Sequence, residues 1–161
     1  MITVHKATPL DAGPMAHLLN AIIRAGGTTA HTTPVTAADI SQMMDHAPAR
    51  SAWHIARDEK GFLTGFQFIE PMDALSSEAC DIATFVQVGS TGLGIGSALF
   101  QATAKAAKSL GYVWINANIR ADNEGGLIYY QSRGFRDYGR IGGVTLTSDL
   151  AVDKILKRYD I

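Results

Sequence analysis

The stretch VGSTGLGIGSALF, residues 88–100, places four glycines among eight positions and then runs straight into helix-forming residues. Glycine loses much backbone entropy when fixed, so such a cluster meets a need for unusual dihedrals or for close approach to the backbone. A glycine-rich turn between a strand and a helix start is a ready anion site. Successive N–H groups converge there, and the helix dipole adds about 0.3–1 kcal/mol for a negative charge. Other reactive groups are sparse. The single cysteine, Cys80, excludes an intramolecular disulfide and a cysteine-rich zinc site, and no neighbouring histidine marks it as half of a nucleophilic dyad. The five histidines show no H-x-x-x-H or C-x-x-C pairing, so no metal site is expected.

Three phosphate-binding patterns can be laid on the loop. A Walker motif needs Gly-Lys-Ser/Thr, but Gly94 is followed by Ile95. The dinucleotide fingerprint G-x-G-x-x-G/A meets Ser97 when counted from Gly92 and Leu99 when counted from Gly94, so it fails too. The acyl-CoA pattern Q/R-x-x-G-x-G/A is met by Thr91-Gly92-Leu93-Gly94-Ile95-Gly96 at every position but the first.

With these residues the chain resembles the GNAT N-acetyltransferase superfamily, whose members often read G-x-G-I-G-x-A-L here, as Gly92 to Leu99 does. The family's later pattern, an asparagine, a tyrosine seven residues on and then Gly-Phe, recurs as Asn123, Tyr130, Gly134 and Phe135. The ordered match covers residues 80–135. Two positions depart from it: Thr91 stands where Arg or Gln is usual, and Val88 where proline is common. Losing that cation weakens the diphosphate site, although backbone donors supply most of it.

The resemblance implies acetyl-CoA as cosubstrate, gripped by Thr91, Gly92, Leu93, Gly94, Ile95, Gly96 and Ser97, with Asn123 as a further contact. Asn123 is equally an N-cap candidate for its own helix. The end of the fourth strand, Phe85 to Val88, would hold pantetheine through its backbone, with the amide of Val86 or Val88 polarising the thioester carbonyl. Tyr130 takes the general-acid position. Asp81, at the head of the strand, is the candidate base, with Glu78 three residues earlier as its rival. Tyr129 is expected to be structural or substrate-facing. The segment from Asn20 to Thr29 faintly resembles the phosphinothricin-type branch, which implies a small amino acid or analogue with Arg24 or Thr29 near its carboxylate. Trp53, Phe66, Phe68 and Trp114 are candidate pocket walls or core. A peptide acceptor and a degenerate acyl-CoA-binding module stay open as alternatives, and the resemblance leaves room for a homodimer.

The chemistry sets two proton problems. A lysine-like amine with pKa about 10.4 is neutral in about one molecule in 2,500 at pH 7, a deficit of roughly 4.6 kcal/mol that a base or a desolvating pocket reduces. The departing thiolate, with a cysteine-like pKa of about 8.5, needs a donor. A phenol of pKa about 10 is protonated at neutral pH and can serve as the intermediate collapses.

These groups need a scaffold. Residues 2–7 alternate as a first strand, and Thr8 or Asp11 can cap a helix carrying Met15, Leu18, Leu19, Ile22 and Ile23. Residues 25–34 read as loop, followed by a helix capped near Thr36. Residues 52–57 and 62–71 read as strands joined by the turn 58–61, and 71–78 as loop. Residues 80–88 read as a buried central strand. A helix over 96–110 shows an apolar stripe of Ile95, Leu99, Ala102, Ala106 and Leu110. A strand over 112–119 and a helix over 124–133 follow. Strands separated by Gly142-Gly143 come next, and VDKILKRYDI is the last strand, with a helix as the competing reading.

The order βααβββαβαββ is α/β, or α+β with a mixed sheet, in a single domain spanning residues 1–161. The resemblance specifies it further: a GNAT-like fold with a central, mostly antiparallel sheet flanked by helices. The 161 residues, 47% of them hydrophobic, suffice for one core. A formal net charge of −1 argues against a nucleic-acid partner held by bulk electrostatics. The absence of an 18-residue apolar run and of a signal-peptide-like start points away from membranes and towards a cytoplasmic protein.

Overall fold

The computed structural model describes residues 1–146 and 149–161, and these follow the expected order of strands and helices. Among them are seven strands: β1 (Thr3–Lys6), β2 (Ala52–Arg57), β3 (Leu63–Glu70), β4 (Ala79–Val86), β5 (Trp114–Arg120), β6 (Arg136–Thr145) and β7 (Ala151–Asp160). They form one sheet in the order β1-β2-β3-β4-β5-β7-β6, antiparallel at every junction except β4–β5. The last segment is a strand, and the competing helix reading falls away. Parallel neighbours require a crossover, which here is the helix α3 (Ile95–Ser109). A helix also follows β5, namely α4 (Glu124–Ser132), so both helices begin at the same edge of the sheet.

The pleat sorts β4 into two faces. Phe85 packs with Phe66, Phe68, Trp53 and Ile55 under α1 (Ala12–Ala25) and α2 (Ala37–Met44), which contribute Met15, Leu19, Ile22 and Ile40. Cys80 and Ile82 point the other way, beneath α3 and α4, with Ile115, Ala117, Ile119, Phe100 and Tyr130. Trp53 stacks on Phe68 at 3.9 Å between centroids, so these aromatics belong to the core.

Local chemistry starts the helices. The Thr36 hydroxyl accepts the Asp39 N–H at 3.1 Å and the Asp39 carboxylate accepts the Thr36 N–H at 2.8 Å, a reciprocal capping box worth about 1 kcal/mol. Asp11 accepts the Thr8 N–H at 2.8 Å and also takes the Arg57 guanidinium at 2.8 Å, which ties the entry of α1 to β2.

Two expectations change. The buried line of α3 is Ile95, Leu99, Phe100, Thr103 and Ala107, while Ala102, Ala106 and Leu110 are only half-buried. The small Ala side chains gave a misleading stripe, because Thr103 is the residue that points at the sheet. Gly142-Gly143 does not separate two strands but lies at a register shift inside β6, where the Gly143 N–H donates to Asp153 at 3.0 Å. A bulge of this kind bends a strand without ending it.

Candidate active site

The β4–β5 register runs from Ala79↔Trp114 to Ile82↔Ala117 and stops, although both strands continue. Past that point they part. The Gln87 N–H donates to the Thr64 carbonyl at 2.8 Å, so by strand alternation Phe85 and Gln87 face β3. Thr84 and Val86 therefore turn their N–H groups toward the opening beside β5. Of the two amides considered for the carbonyl, Val86 lies on this strand edge, whereas Val88 sits exposed in the turn that follows.

That turn leads into α3. Gly89, Gly92 and Gly94 have φ of 84°, 84° and 82°, values that side-chain-bearing residues rarely adopt. The first amide to bond back into the helix is that of Ala98, to the Gly94 carbonyl at 3.0 Å. The N–H groups of Ile95, Gly96 and Ser97 are thus left pointing out of the helix start. Thr91, Gly92 and Leu93 are exposed around them. Gly96 answers a different need: a Cβ there would stand 2.6 Å from the Tyr129 ring. The cluster serves both purposes, special dihedrals at three glycines and close packing at the fourth.

On the α3–α4 face, a row of hydrogen bonds links this helix start to the opening. The Tyr129 hydroxyl donates to the Gly96 carbonyl at 2.7 Å and accepts from Gln67 Nε2 at 3.0 Å. The same nitrogen donates to Thr84 Oγ1 at 2.8 Å, and Thr84 Oγ1 meets the Tyr130 hydroxyl at 2.8 Å. Tyr130 is buried, and burial holds its hydroxyl pKa far above the ordinary phenol value, against the opposing effect of the Thr84 bond. It is a protonated donor at any working pH. The rings of Tyr129 and Tyr130 meet edge to face at 4.9 Å, and both hydroxyls reach the same polar row.

Asp81 lies on the opposite face. Its carboxylate accepts from Asn116 Nδ2 at 2.8 Å, and the Tyr138 hydroxyl donates in turn to Asn116 Oδ1. Burial pushes the Asp81 carboxyl up to about 6; the Asn116 bond opposes this and Glu70, its cross-strand neighbour, adds to it. Such a carboxylate is ionised at neutral pH yet basic enough to take a proton. Half-buried Lys154, on β7, has its ammonium pKa lowered by burial while Asp81 acts to raise it. Glu78, the rival base, is exposed in the loop before β4.

The loop after α1 folds over this face. Asn20 clasps Val35 through two 2.8 Å bonds, and the His31 ring lies 6.3 Å from that of Phe85. Thr29 is buried, its hydroxyl accepting the His31 N–H at 3.1 Å and its carbonyl accepting from Arg120 at 3.1 Å. Arg24 sits exposed on the last turn of α1. Asn123 caps α4, its Oδ1 accepting the Gly126 N–H at 3.0 Å, while its Nδ2 donates to the Thr28 carbonyl at 3.1 Å. Its cap role is realised. Cys80 is buried, and its thiol is pushed up to about 12 by burial and by Asp81, which makes it inert as a nucleophile. Sequence reading missed Gln67, Thr84 and Asn116; a polar side chain in the apolar strand LTGFQFIE was the one available signal.

The chain shares its fold with solved acetyltransferases of the GNAT family. YwnH of Bacillus subtilis (strain 168), named "Putative phosphinothricin acetyltransferase", is 24% identical over 162 residues, covering 99% of this chain and 95% of its own. The GNAT superfamily phosphinothricin acetyltransferase of Sinorhizobium meliloti, solved with AcCoA, superposes with a TM-score of 0.88 at 16% identity, over 99% of this chain and 88% of that one. The ribosomal-protein-alanine N-acetyltransferase of Brucella melitensis gives a TM-score of 0.88 at 18% identity, over 99% of both chains. No protein-family model matches the chain. Among the described residues no helix is long and apolar enough to cross a membrane.

Proposed function

We propose that this protein is an acetyl-CoA-dependent N-acetyltransferase that moves the acetyl group directly to the primary amine of a small molecule, an amino acid or close analogue. The observation that carries this reading is the end of the β4–β5 ladder at Ile82 and Ala117, with Tyr130 on one face of the opening and Asp81 on the other. Acetyl-CoA supplies an activated thioester. The turn 91–97 fits its diphosphate, because two positive-φ glycines, Gly92 and Gly94, and the outward-pointing amides of Ile95, Gly96 and Ser97 form an anion cradle at a helix N-terminus. Thr84 and Val86 offer backbone donors for pantetheine and for the charge that develops on the carbonyl oxygen.

Base and acid on opposite faces suit direct transfer. The amine arrives from the α1–α2 face, where Asp81 takes its proton directly or through water. Tyr130, on the α3–α4 face, gives its proton to the sulfur as the carbon–sulfur bond breaks. Thr29 and Arg24, at the exit of α1, flank the acceptor side and serve a substrate carboxylate, with Lys154 as a third cation-bearing or polar partner. The protein works in the cytoplasm.

A panel of amino acids, phosphinothricin, aminoglycosides, polyamines and peptides, read by thiol release from acetyl-CoA, tests this. Turnover concentrated on amino acids and their analogues is expected. Turnover on peptides alone would overturn the substrate class, and CoA binding without thiol release across the whole panel would overturn the enzyme.

A further inference from the structure

The hydrogen bonds of the polar row have a direction, and the Gly96 carbonyl sets it. A carbonyl only accepts, so the Tyr129 hydroxyl must donate to it at 2.7 Å. The Tyr129 oxygen is then free to accept, and Gln67 Nε2 donates to it at 3.0 Å. The second proton of that nitrogen goes to Thr84 Oγ1 at 2.8 Å. Reversing the Gln67 amide would set its oxygen against both hydroxyls. Tyr129 would have to donate to Gln67 instead, leaving two oxygens 2.7 Å apart at Gly96 with no proton between them. The observed orientation prevails even though it leaves Gln67 Oε1 buried without a partner among the described residues.

Thr84 already accepts from Gln67, and its own proton remains to be placed. The Tyr130 oxygen lies 2.8 Å away. We propose that Gln67 and Thr84 are positioning residues that direct a hydrogen bond into the Tyr130 oxygen and leave the Tyr130 proton aimed into the opening between β4 and β5. This rests on the reading of Tyr130 as the general acid. Were Tyr130 to donate to Thr84 instead, its proton would first have to break that bond before it could reach a leaving group. A bond donated to the phenol oxygen also strengthens as the proton departs, so Thr84 makes Tyr130 a better acid. The Thr84 bond does act to lower the Tyr130 pKa, against the larger effect of burial. Gln67 and Thr84 can cooperate because the β3–β4 register pairs them directly, on one face of the sheet.

A double-mutant cycle separates positioning from packing. Thr84→Val keeps the shape and removes the hydroxyl; Thr84→Ser restores it, and Thr84→Ala repeats the deletion with a smaller side chain. Each is made in the wild-type and in the Tyr130→Phe background, with folding checked by denaturation and kcat measured at saturating acetyl-CoA. Thr84→Val should lower kcat roughly 10-fold with little change in KM for acetyl-CoA, and Thr84→Ser should recover most of the loss. In the Tyr130→Phe background the same substitution should cost nothing further, because the hydroxyl it would orient is gone. Gln67→Met should behave like Thr84→Val in both backgrounds. An equal loss in the two backgrounds, or an unchanged kcat for both valine and alanine variants, overturns the positioning role while leaving Tyr130 as the acid. Full turnover by Tyr130→Phe overturns the acid assignment itself, and the positioning role with it.

Discussion

Replacing Asp81 by asparagine separates two consequences of placing a carboxylate beside the opening. Burial raises its pKa from the ordinary 3.8 to about 6, with the Asn116 bond working against the rise and Glu70 with it. The unfolded chain returns the group to the ordinary value, so the folded state binds the proton more tightly between the two. The sign follows. Stability from this group is fully present below pH 3.8, is lost as pH rises towards 6, and stays low above that. The gap corresponds to about 3 kcal/mol.

Asparagine cannot ionise, and its side-chain oxygen can accept the same Asn116 N–H. Asp81→Asn should therefore be more stable than wild type at pH 7.5, by about 1–3 kcal/mol, and similar to it below pH 4. Its kcat should fall roughly 10²–10⁴-fold, and the acidic limb of kcat/KM near pH 6 should disappear. Urea unfolding at a series of pH values, run beside the rate profile, measures both. A variant less stable than wild type at every pH would refute the raised carboxyl, and an unmoved rate profile would refute Asp81 as base.

Tyr130→Phe should lower kcat roughly 10²–10⁴-fold in steady-state assays with far less change in acetyl-CoA affinity, because the bond it removes strengthens only as sulfur gains charge. Gly94→Asp should abolish CoA binding by calorimetry in a folded protein, since it sets a carboxylate beside the cradle, at a backbone φ of 82°. Gly96→Ala should cost about 1–3 kcal/mol in unfolding experiments, because its Cβ would stand 2.6 Å from the Tyr129 ring. The buried Cys80 thiol should resist iodoacetamide at pH 8 in the folded protein, and Cys80→Ala should keep turnover within about twofold, read by mass spectrometry and rate.

Much of this protein is legible in its sequence because much of its chemistry is local. The Thr36–Asp39 capping box, the Asn123 cap and the positive-φ glycines of the turn before α3 involve partners within a few residues of one another. The β-branched, apolar run from Cys80 to Val88 likewise reads as a buried central strand, and β4 covers Ala79–Val86. What sits at the opening is another matter. Asp81 meets Asn116 across a parallel register, Gln67 meets Thr84 across an antiparallel one, and Tyr129 reaches back to Gly96 from a different helix. No spacing along the chain encodes these encounters; they follow from how strands align and helices settle. The raised carboxyl of Asp81 and the inert thiol of Cys80 arise in the same way. Each depends on how much water the packed neighbours exclude, and exclusion of water is a property of the assembled layers, decided only when the sheet closes under its helices.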